Sequence, residues 1–187
     1  MTSKFLLIIF SLLLNCNSSA EKVTEKETPE GIQNEVYDDQ ETYLLGEFER
    51  KELEQSPYSY WFNSGYKNYE PEEKHMKVIK ENISDYEIIL FMGTWCADSQ
   101  LEVPKLYKIL DQAGYDYSKL TNIAVDPYKE TPNHIEEDYE VNLVPTIIFR
   151  KDGVEINRFV EFALETFEED LADIVSQKDY QNPYADF

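Results

Sequence analysis

The apolar positions between residues 86 and 126 change from a continuous run to helical spacing, and a second strand follows. The continuous apolar run at residues 88–91 predicts a buried strand over 86–92, and the next strand is predicted at 120–126. Between them, residues 97–113 carry apolar side chains at helical spacing, and the glycine that follows is typical of a helix end. This order predicts two parallel strands that are joined by a helix in a right-handed crossover.

The helix at 97–113 is expected to bury one face. Leu101, Leu106, Tyr107 and Leu110 are predicted to point toward the sheet. Pro104 lies inside the same helix and lacks a backbone N–H, so a kink is expected there.

Weaker patterns predict further elements on both sides of this unit. Pro71 and the acidic residues after it suit a first helical turn, which predicts a helix over residues 71–83. The elements predicted downstream are a helix at 131–140, a strand at 147–150, a turn at 151–153, a strand at 154–160 and a helix at 164–177. The sequence therefore predicts an α/β protein with a central mixed sheet flanked by helices. The tail at 178–187 is given no element.

Aromatic residues are concentrated in the segment 43–70. Six of them fall within residues 58–69: Tyr58, Tyr60, Trp61, Phe62, Tyr66 and Tyr69. A weak helical pattern covers residues 46–56, whereas Pro57 and Gly65 disfavour a long regular element around the rings. We expect the segment to be an N-terminal extension that packs on a domain formed by residues 71–177. The alternative is that its rings line a groove for a partner polypeptide.

The first residues have the pattern of an export signal. Lys4 precedes ten residues, 5–14, that are apolar apart from one serine and too few to span a bilayer. The sequence before Cys16 resembles a bacterial lipobox, which predicts a lipoprotein-type signal in residues 1–16 and a lipidated Cys16. Alternatively, the small residues up to Ala20 suit ordinary cleavage after residue 20. Both predict a location in the bacterial cell envelope, facing the periplasm or as an outer-membrane lipoprotein.

Charge distinguishes the segment that follows the signal. Acidic residues outnumber basic ones eight to two in 17–41, so residues 17–42 are predicted to be a disordered acidic tether. The whole chain of 187 residues has 17 Lys and Arg against 38 Asp and Glu, a formal charge of −21. Such a charge repels nucleic acid and anionic lipid, so membrane contact is expected only through a lipid anchor.

The candidate chemistry lies in the sequence FMGTWCADSQ, residues 91–100, where the first strand gives way to the helix. Unpaired backbone N–H groups and the helix dipole favour a thiolate at Cys96. His75 and His134 have no second ligand at metal-binding spacing, so we predict that they are surface residues. Neither a metal nor a cofactor is expected.

This stretch resembles the active site of the thioredoxin superfamily, which has Trp-Cys-x-x-Cys at the same junction. Here Ser99 replaces the second cysteine, and Glu102 and Pro104 extend the similarity to exported thioredoxin-like proteins with a single cysteine, WCxDS. The resemblance implies a thioredoxin-like fold, with Cys96 as the reactive residue and Trp95, Asp98 and Ser99 in support.

The resemblance also implies a substrate loop formed by Val144, Pro145 and Thr146. In the family this proline is cis and its loop lies beside the cysteine, where the backbone pairs with an extended substrate peptide.

Departures from the family pattern limit the implied chemistry. Ser99 cannot resolve a mixed disulfide, because an alkoxide does not form near neutral pH. Leu90 stands where thioredoxins bury an acid that assists proton transfer, and Asp98 places a negative charge beside Cys96.

Three functions therefore stay open. The first is a monothiol protein that forms mixed disulfides with proteins or small thiols in thiol–disulfide exchange or redox homeostasis. The second is a polypeptide-binding, holdase-like module, and the third is a structural subunit in which Cys96 is inert. Only the first is an enzyme-like activity, that of an oxidoreductase without a resolving cysteine.

Overall fold

The structure, a computed structural model, describes residues 33–36 and 42–185. Its strands are β1 (Gln33–Val36), β2 (Thr42–Glu47), β3 (Glu87–Met92), β4 (Leu120–Ala124), β5 (Thr146–Lys151) and β6 (Val154–Val160). Its helices are α1 (Arg50–Leu53), α2 (Ser59–Asn68), α3 (Glu73–Asn82), α4 (Ala97–Ala113), α5 (Ile135–Asp138) and α6 (Phe167–Val175). The strands form one sheet in the order β1-β2-β4-β3-β5-β6, in which only β3 and β4 are parallel among the described strands. The predicted α/β fold with a central mixed sheet is confirmed.

Strand β3 is the centre of the sheet. Leu90 lies opposite Asn122 of β4 on one side and Ile147 of β5 on the other. Because side chains alternate along a strand, Ile88, Leu90 and Met92 face the helices α2, α3, α4 and α6. Ile89 and Phe91 face the segment that joins β4 to β5. The carboxyl end of β3 therefore emerges between two packed layers.

Helix α4 has the bounds that the sequence predicts. It begins after Cys96 and ends before Gly114, which has the positive φ of 67° that a left-handed helix end requires. The prediction for Leu101 is wrong, since this side chain is 56% exposed. At about 100° per residue, Leu101 lies on the side of the helix opposite Val103, and Glu102 takes the buried position beside it.

Helix α2 contradicts the expectation that no long element forms in the aromatic segment. It spans ten residues, with Trp61 and Phe62 buried. Pro57 precedes the helix and so does not interrupt it. Helix α2 approaches α4 closely at Gly65, where a Cβ would lie 2.9 Å from the Pro104 Cβ. A residue without a Cβ is therefore needed at this position of the helix. The extension thus packs on α4, where the Phe62 and Tyr107 rings are 5.5 Å apart.

Three predicted helices are shorter than expected, and the helix predicted at 71–83 is α3, Glu73–Asn82. The helix predicted at 131–140 is reduced to α5, because Glu136 accepts a hydrogen bond from Thr131 N (2.9 Å) and left-handed residues, His134 and Glu140, lie on either side of it. The helix predicted from residue 164 begins at 167, where the Thr166 side chain accepts a hydrogen bond from Glu169 N (3.3 Å).

The N-terminal part of the sheet lies before the predicted domain start at residue 71. Strand β2 pairs with β4, placing Gly46 opposite Ala124. Strand β1, inside the predicted tether, pairs with β2, because that strand offers a row of free backbone groups on its outer side. The weak helical pattern at 46–56 corresponds only to α1. The signal at 1–16, Cys16 and the rest of the tether lie outside the described residues. No described helix is long and apolar enough to cross a membrane.

Candidate thiol site

The turn between β3 and α4 fixes Cys96 at the start of the helix. Cys96 N donates to Gly93 O (3.0 Å), and Gln100 N donates to Cys96 O (3.0 Å), which closes the first helical turn. Cys96 itself has an extended backbone, with φ −82° and ψ 125°, as residues that cap a helix do. The side chain is partly exposed, so its sulfur lies at the surface end of the helix.

Trp95 covers one side of this turn. Its indole Nε1 donates to Val125 O (2.9 Å). Its ring lies directly over Gly93, where a Cβ would come within 2.5 Å of the indole. Only glycine fits at position 93, and the ring is held against the same apolar layer that Cys96 contacts.

The proline loop lies on the other side of the sulfur. The Val144–Pro145 peptide bond is cis, the geometry that the resemblance implies. Cys96 Sγ lies 3.2 Å from Val144 O, to which the thiol donates. Thr146 Oγ1 donates to Leu143 O (2.7 Å) and closes the loop. The structure thus brings Trp95, Cys96 and the loop at 144–146 together, although β5 follows β3 in sequence by more than fifty residues.

Comparisons with known proteins find thioredoxins among the chains that this one resembles. No family model matches the chain. It is 27% identical over 107 residues to a thioredoxin of Staphylococcus saprophyticus, covering 54% of this chain and 95% of that one. A thioredoxin of Staphylococcus aureus is 28% identical over 94 residues, covering 50% and 83%. The solved thioredoxin of Fasciola hepatica overlaps loosely, with a TM-score of 0.37 and 24% identity over 54% of this chain and 88% of that one.

The chain is therefore similar in sequence to thioredoxins over about half of its length. It also carries the serine of the modified motif. Ser99 is completely buried, and its Oγ accepts a hydrogen bond from Gly93 N (3.2 Å). The serine therefore braces the turn under Cys96.

Strand β3 has no buried acid beneath the thiol, since the fully buried residue at position 90 is Leu90. A buried acid, Glu102, lies on α4 instead. Burial raises the pKa of Glu102, and Lys105 opposes this shift only in part. Lys105 Nζ lies 2.9 Å from Glu102 Oε2 and forms an ion pair with it.

Glu161 and Tyr184 lie beside the site, although the sequence motif does not predict them there. Glu161 N donates to Pro145 O (2.8 Å), and the Glu161 carboxylate accepts a hydrogen bond from the Tyr184 hydroxyl of the tail. The hydrogen bond to Glu161 raises the pKa of the Tyr184 phenol, and the charge of Asp98, in the first turn of α4, adds to this shift. The only hint in the sequence is the presence of tyrosines in an otherwise polar tail.

The histidines do not join the site. His134 is exposed, as predicted. Its ligand atom lies within 4.8 Å of those of Glu136 and Glu137, but Glu136 is already hydrogen-bonded to Thr131. The prediction for His75 is wrong: its side chain is only 13% exposed, because it lies between α3 and α6, where Nε2 is 3.9 Å from Glu169.

Proposed function

We propose that this chain is an exported thioredoxin-like monothiol protein that forms mixed disulfides through Cys96. One observation carries the proposal: a partly exposed thiol caps helix α4 with its sulfur 3.2 Å from the carbonyl that precedes a cis proline. The helix N-terminus supplies unpaired N–H groups to a thiolate, and the loop supplies backbone groups to an extended peptide.

The reaction is thiol–disulfide exchange. The Cys96 thiolate attacks one sulfur of a substrate disulfide, a new S–S bond forms at Cys96, and the other substrate sulfur leaves as a thiolate that takes up a proton. Release requires a second thiol, either a small thiol or a protein thiol, that attacks the mixed disulfide and is itself oxidised. Ser99 takes no part in release, since its oxygen forms no counterpart of a cystine and is used by Gly93 N.

The supporting residues have distinct roles in this proposal. Trp95 shields one side of the sulfur, while Val144, Pro145 and Thr146 bind the peptide that carries the disulfide. We infer from the sequence that the domain is exported and tethered through lipidated Cys16. Mass spectrometry of the native N-terminus tests this: a mature chain that begins at Glu21 overturns the lipid alone.

The test of the chemistry uses glutathione disulfide as the substrate. The natural chain is expected to gain one glutathionyl group on the peptide that contains Cys96, and Cys96→Ala to gain none there. The natural chain and Cys16→Ala should be modified equally at Cys96. If Cys96 stays unmodified while small alkylating reagents reach it, the exchange proposal is wrong.

An aromatic cavity supports polypeptide binding as a second candidate function. It has a volume of about 280 Å³ and lies against Trp95 and Thr94. Its other walls include Tyr58, Trp61 and Tyr60, and Tyr60 is 73% exposed. If Cys96→Ala retains full function in cells, this binding role replaces the exchange reaction.

A further inference from the structure

The C-terminal tail returns along the sheet toward the thiol site. After α6, the carbonyl of Tyr180 accepts a hydrogen bond from Asn157 Nδ2 of β6 (2.9 Å). The Tyr180 hydroxyl donates to Asp170 (3.1 Å), and its ring is buried in the main core. Strand β6 is an edge of the sheet, so the tail is anchored beside a strand that would otherwise present free backbone groups.

Tyr184 joins the end of this tail to the proline loop. Its hydroxyl donates to the Glu161 carboxylate, and its ring meets the Phe162 ring edge to face at 6.1 Å. Glu161 N in turn donates to Pro145 O. Tyr184 is therefore connected through Glu161 to Pro145. Pro145 directly follows Val144, whose carbonyl contacts Cys96 Sγ.

The tail also forms a wall beside the loop. A cavity of about 520 Å³ has Leu143, Thr146 and Val160 on the protein side and Asn182 and Tyr184 on the tail side. Leu143 and Thr146 flank the cis peptide bond, where the proposed substrate backbone passes. An extended polypeptide at this loop therefore meets the tail.

We propose that Tyr184 fixes the tail as a strap along the proline side of the thiol site and thereby limits the size of the disulfides that reach Cys96. The strap admits a small disulfide and disfavours a folded protein until the Tyr184 contacts break. This inference rests on the proposed function in taking Cys96 as the reacting group.

Size-dependent alkylation tests the strap without requiring any disulfide exchange. The full-length chain is treated with iodoacetamide and, separately, with a maleimide coupled to polyethylene glycol, and modification of the Cys96 peptide is followed by mass spectrometry. Tyr184→Ala is expected to raise the rate with the bulky maleimide about 5- to 10-fold and to change the iodoacetamide rate less than about 2-fold, because it removes both the hydrogen bond to Glu161 and the ring contact with Phe162. Tyr184→Phe, which keeps the ring contact, should lie between.

Tyr128→Ala is the matched control, because Tyr128 is 69% exposed. It should leave both rates unchanged. An unchanged or lower ratio of bulky to small rates in Tyr184→Ala overturns the strap, whatever glutathione disulfide does. Conversely, a raised ratio without glutathionylation of Cys96 supports the strap and overturns the exchange chemistry.

Discussion

Ser99 limits what the Cys96 thiol is able to do. The two residues cap and begin the same helix, three positions apart, and this spacing brings Cα atoms within the range that a disulfide needs. In the natural chain, the Ser99 hydroxyl is directed at Gly93 N. The site therefore lacks a resolving thiol only because of the side chain at position 99, since the spacing between positions 96 and 99 already suits a disulfide.

Ser99→Cys is expected to install the resolving thiol. The variant should form an internal disulfide with Cys96 and reduce insulin catalytically in the presence of dithiothreitol, whereas the natural chain should stay near background. Its rate should remain below that of a dithiol thioredoxin, because Leu90 provides no proton relay at the buried end of β3. Insulin turbidity and thiol titration measure the two effects.

Ser99→Ala is the control for this variant. It removes the acceptor for Gly93 N without adding a thiol, so it should gain no activity and lose about 1–3 kcal/mol of stability. Strong multiple-turnover activity in the natural chain would contradict the role given to Ser99. A Ser99→Cys chain that never forms the bond would show that the departure from thioredoxin lies deeper than this side chain.

The sequence predicts the centre of the site but not its surroundings. Cys96 is identified by local patterns, the apolar run before it and the helical spacing after it. The role of Pro145 is implied by the resemblance. Tyr184 and Glu161 are 23 positions apart, and their contact arises from the path of the tail along β6. No local pattern encodes that path. The prediction for Leu101 is wrong because it follows from the apolar character of this residue and not from its position around the helix.

At the scale of elements, the contact between α2 and α4 depends on one glycine. Gly65 faces Pro104, and a Cβ would lie 2.9 Å from the proline Cβ and 3.0 Å from its Cγ. Both are ring atoms of a rigid side chain in a buried position, so neither is free to move aside.

Gly65→Ala is therefore expected to destabilise the protein by about 1–3 kcal/mol, although alanine favours a helix by about 1 kcal/mol over glycine. Urea denaturation measures the change. Asn63→Ala is the matched control, since this exposed position on the same helix should gain stability from its helix propensity. If Gly65→Ala is as stable as Asn63→Ala, the close approach of the two helices is wrong.

Elements with strong local signals are predicted well, and those set by tertiary contacts are not. Helix α4 and strand β6 have the predicted bounds. Gly114 follows the helical pattern and Gly153 lies in the turn before the strand, so a glycine marks one boundary of each element. The sequence does not predict helix α2, because it does not reveal that Gly65 lies against Pro104 of α4 in the fold. Helix α5 is short because Glu136 and Thr131 hydrogen-bond to each other, which a periodic pattern does not reveal.

At the scale of the whole molecule, a cluster around Asp111 joins the segment at 43–70 to helix α4. Arg50 Nη1 lies 3.0 and 2.8 Å from the two carboxylate oxygens of Asp111 on α4. The hydroxyls of Tyr66 (2.7 Å) and Tyr117 (2.6 Å) donate to the same carboxylate. The Arg50 guanidinium also lies over the Tyr107 ring, 5.1 Å from its centre. One charge thus connects α1, α2 and α4.

The ionisation of Asp111 makes this connection dependent on pH. Partial burial alone would raise the pKa of Asp111, but the hydrogen bonds from Tyr117, Tyr66 and Arg50 outweigh it and lower the pKa below the usual 3.8. For a carboxyl whose pKa is lower in the folded state, the stabilisation is fully present above the ordinary pKa. It is lost as the pH falls from about 4 toward the lowered value.

Asp111→Asn should therefore lower the free energy of unfolding by about 1–2 kcal/mol at pH 7, because the charge-assisted bonds weaken while the site stays partly solvated. The difference from the natural chain should shrink as the pH falls from about 4 toward the lowered pKa of Asp111, where the natural carboxyl also loses its charge in the folded state. Urea denaturation at pH 7 and at pH 3 measures both. Asp85→Asn is the control: its ion pair with Lys151 (2.8 Å) is exposed, so it should change stability little at either pH. An equal loss for Asp111→Asn at both pH values would mean that the shape of the side chain, and not its charge, holds the extension to α4.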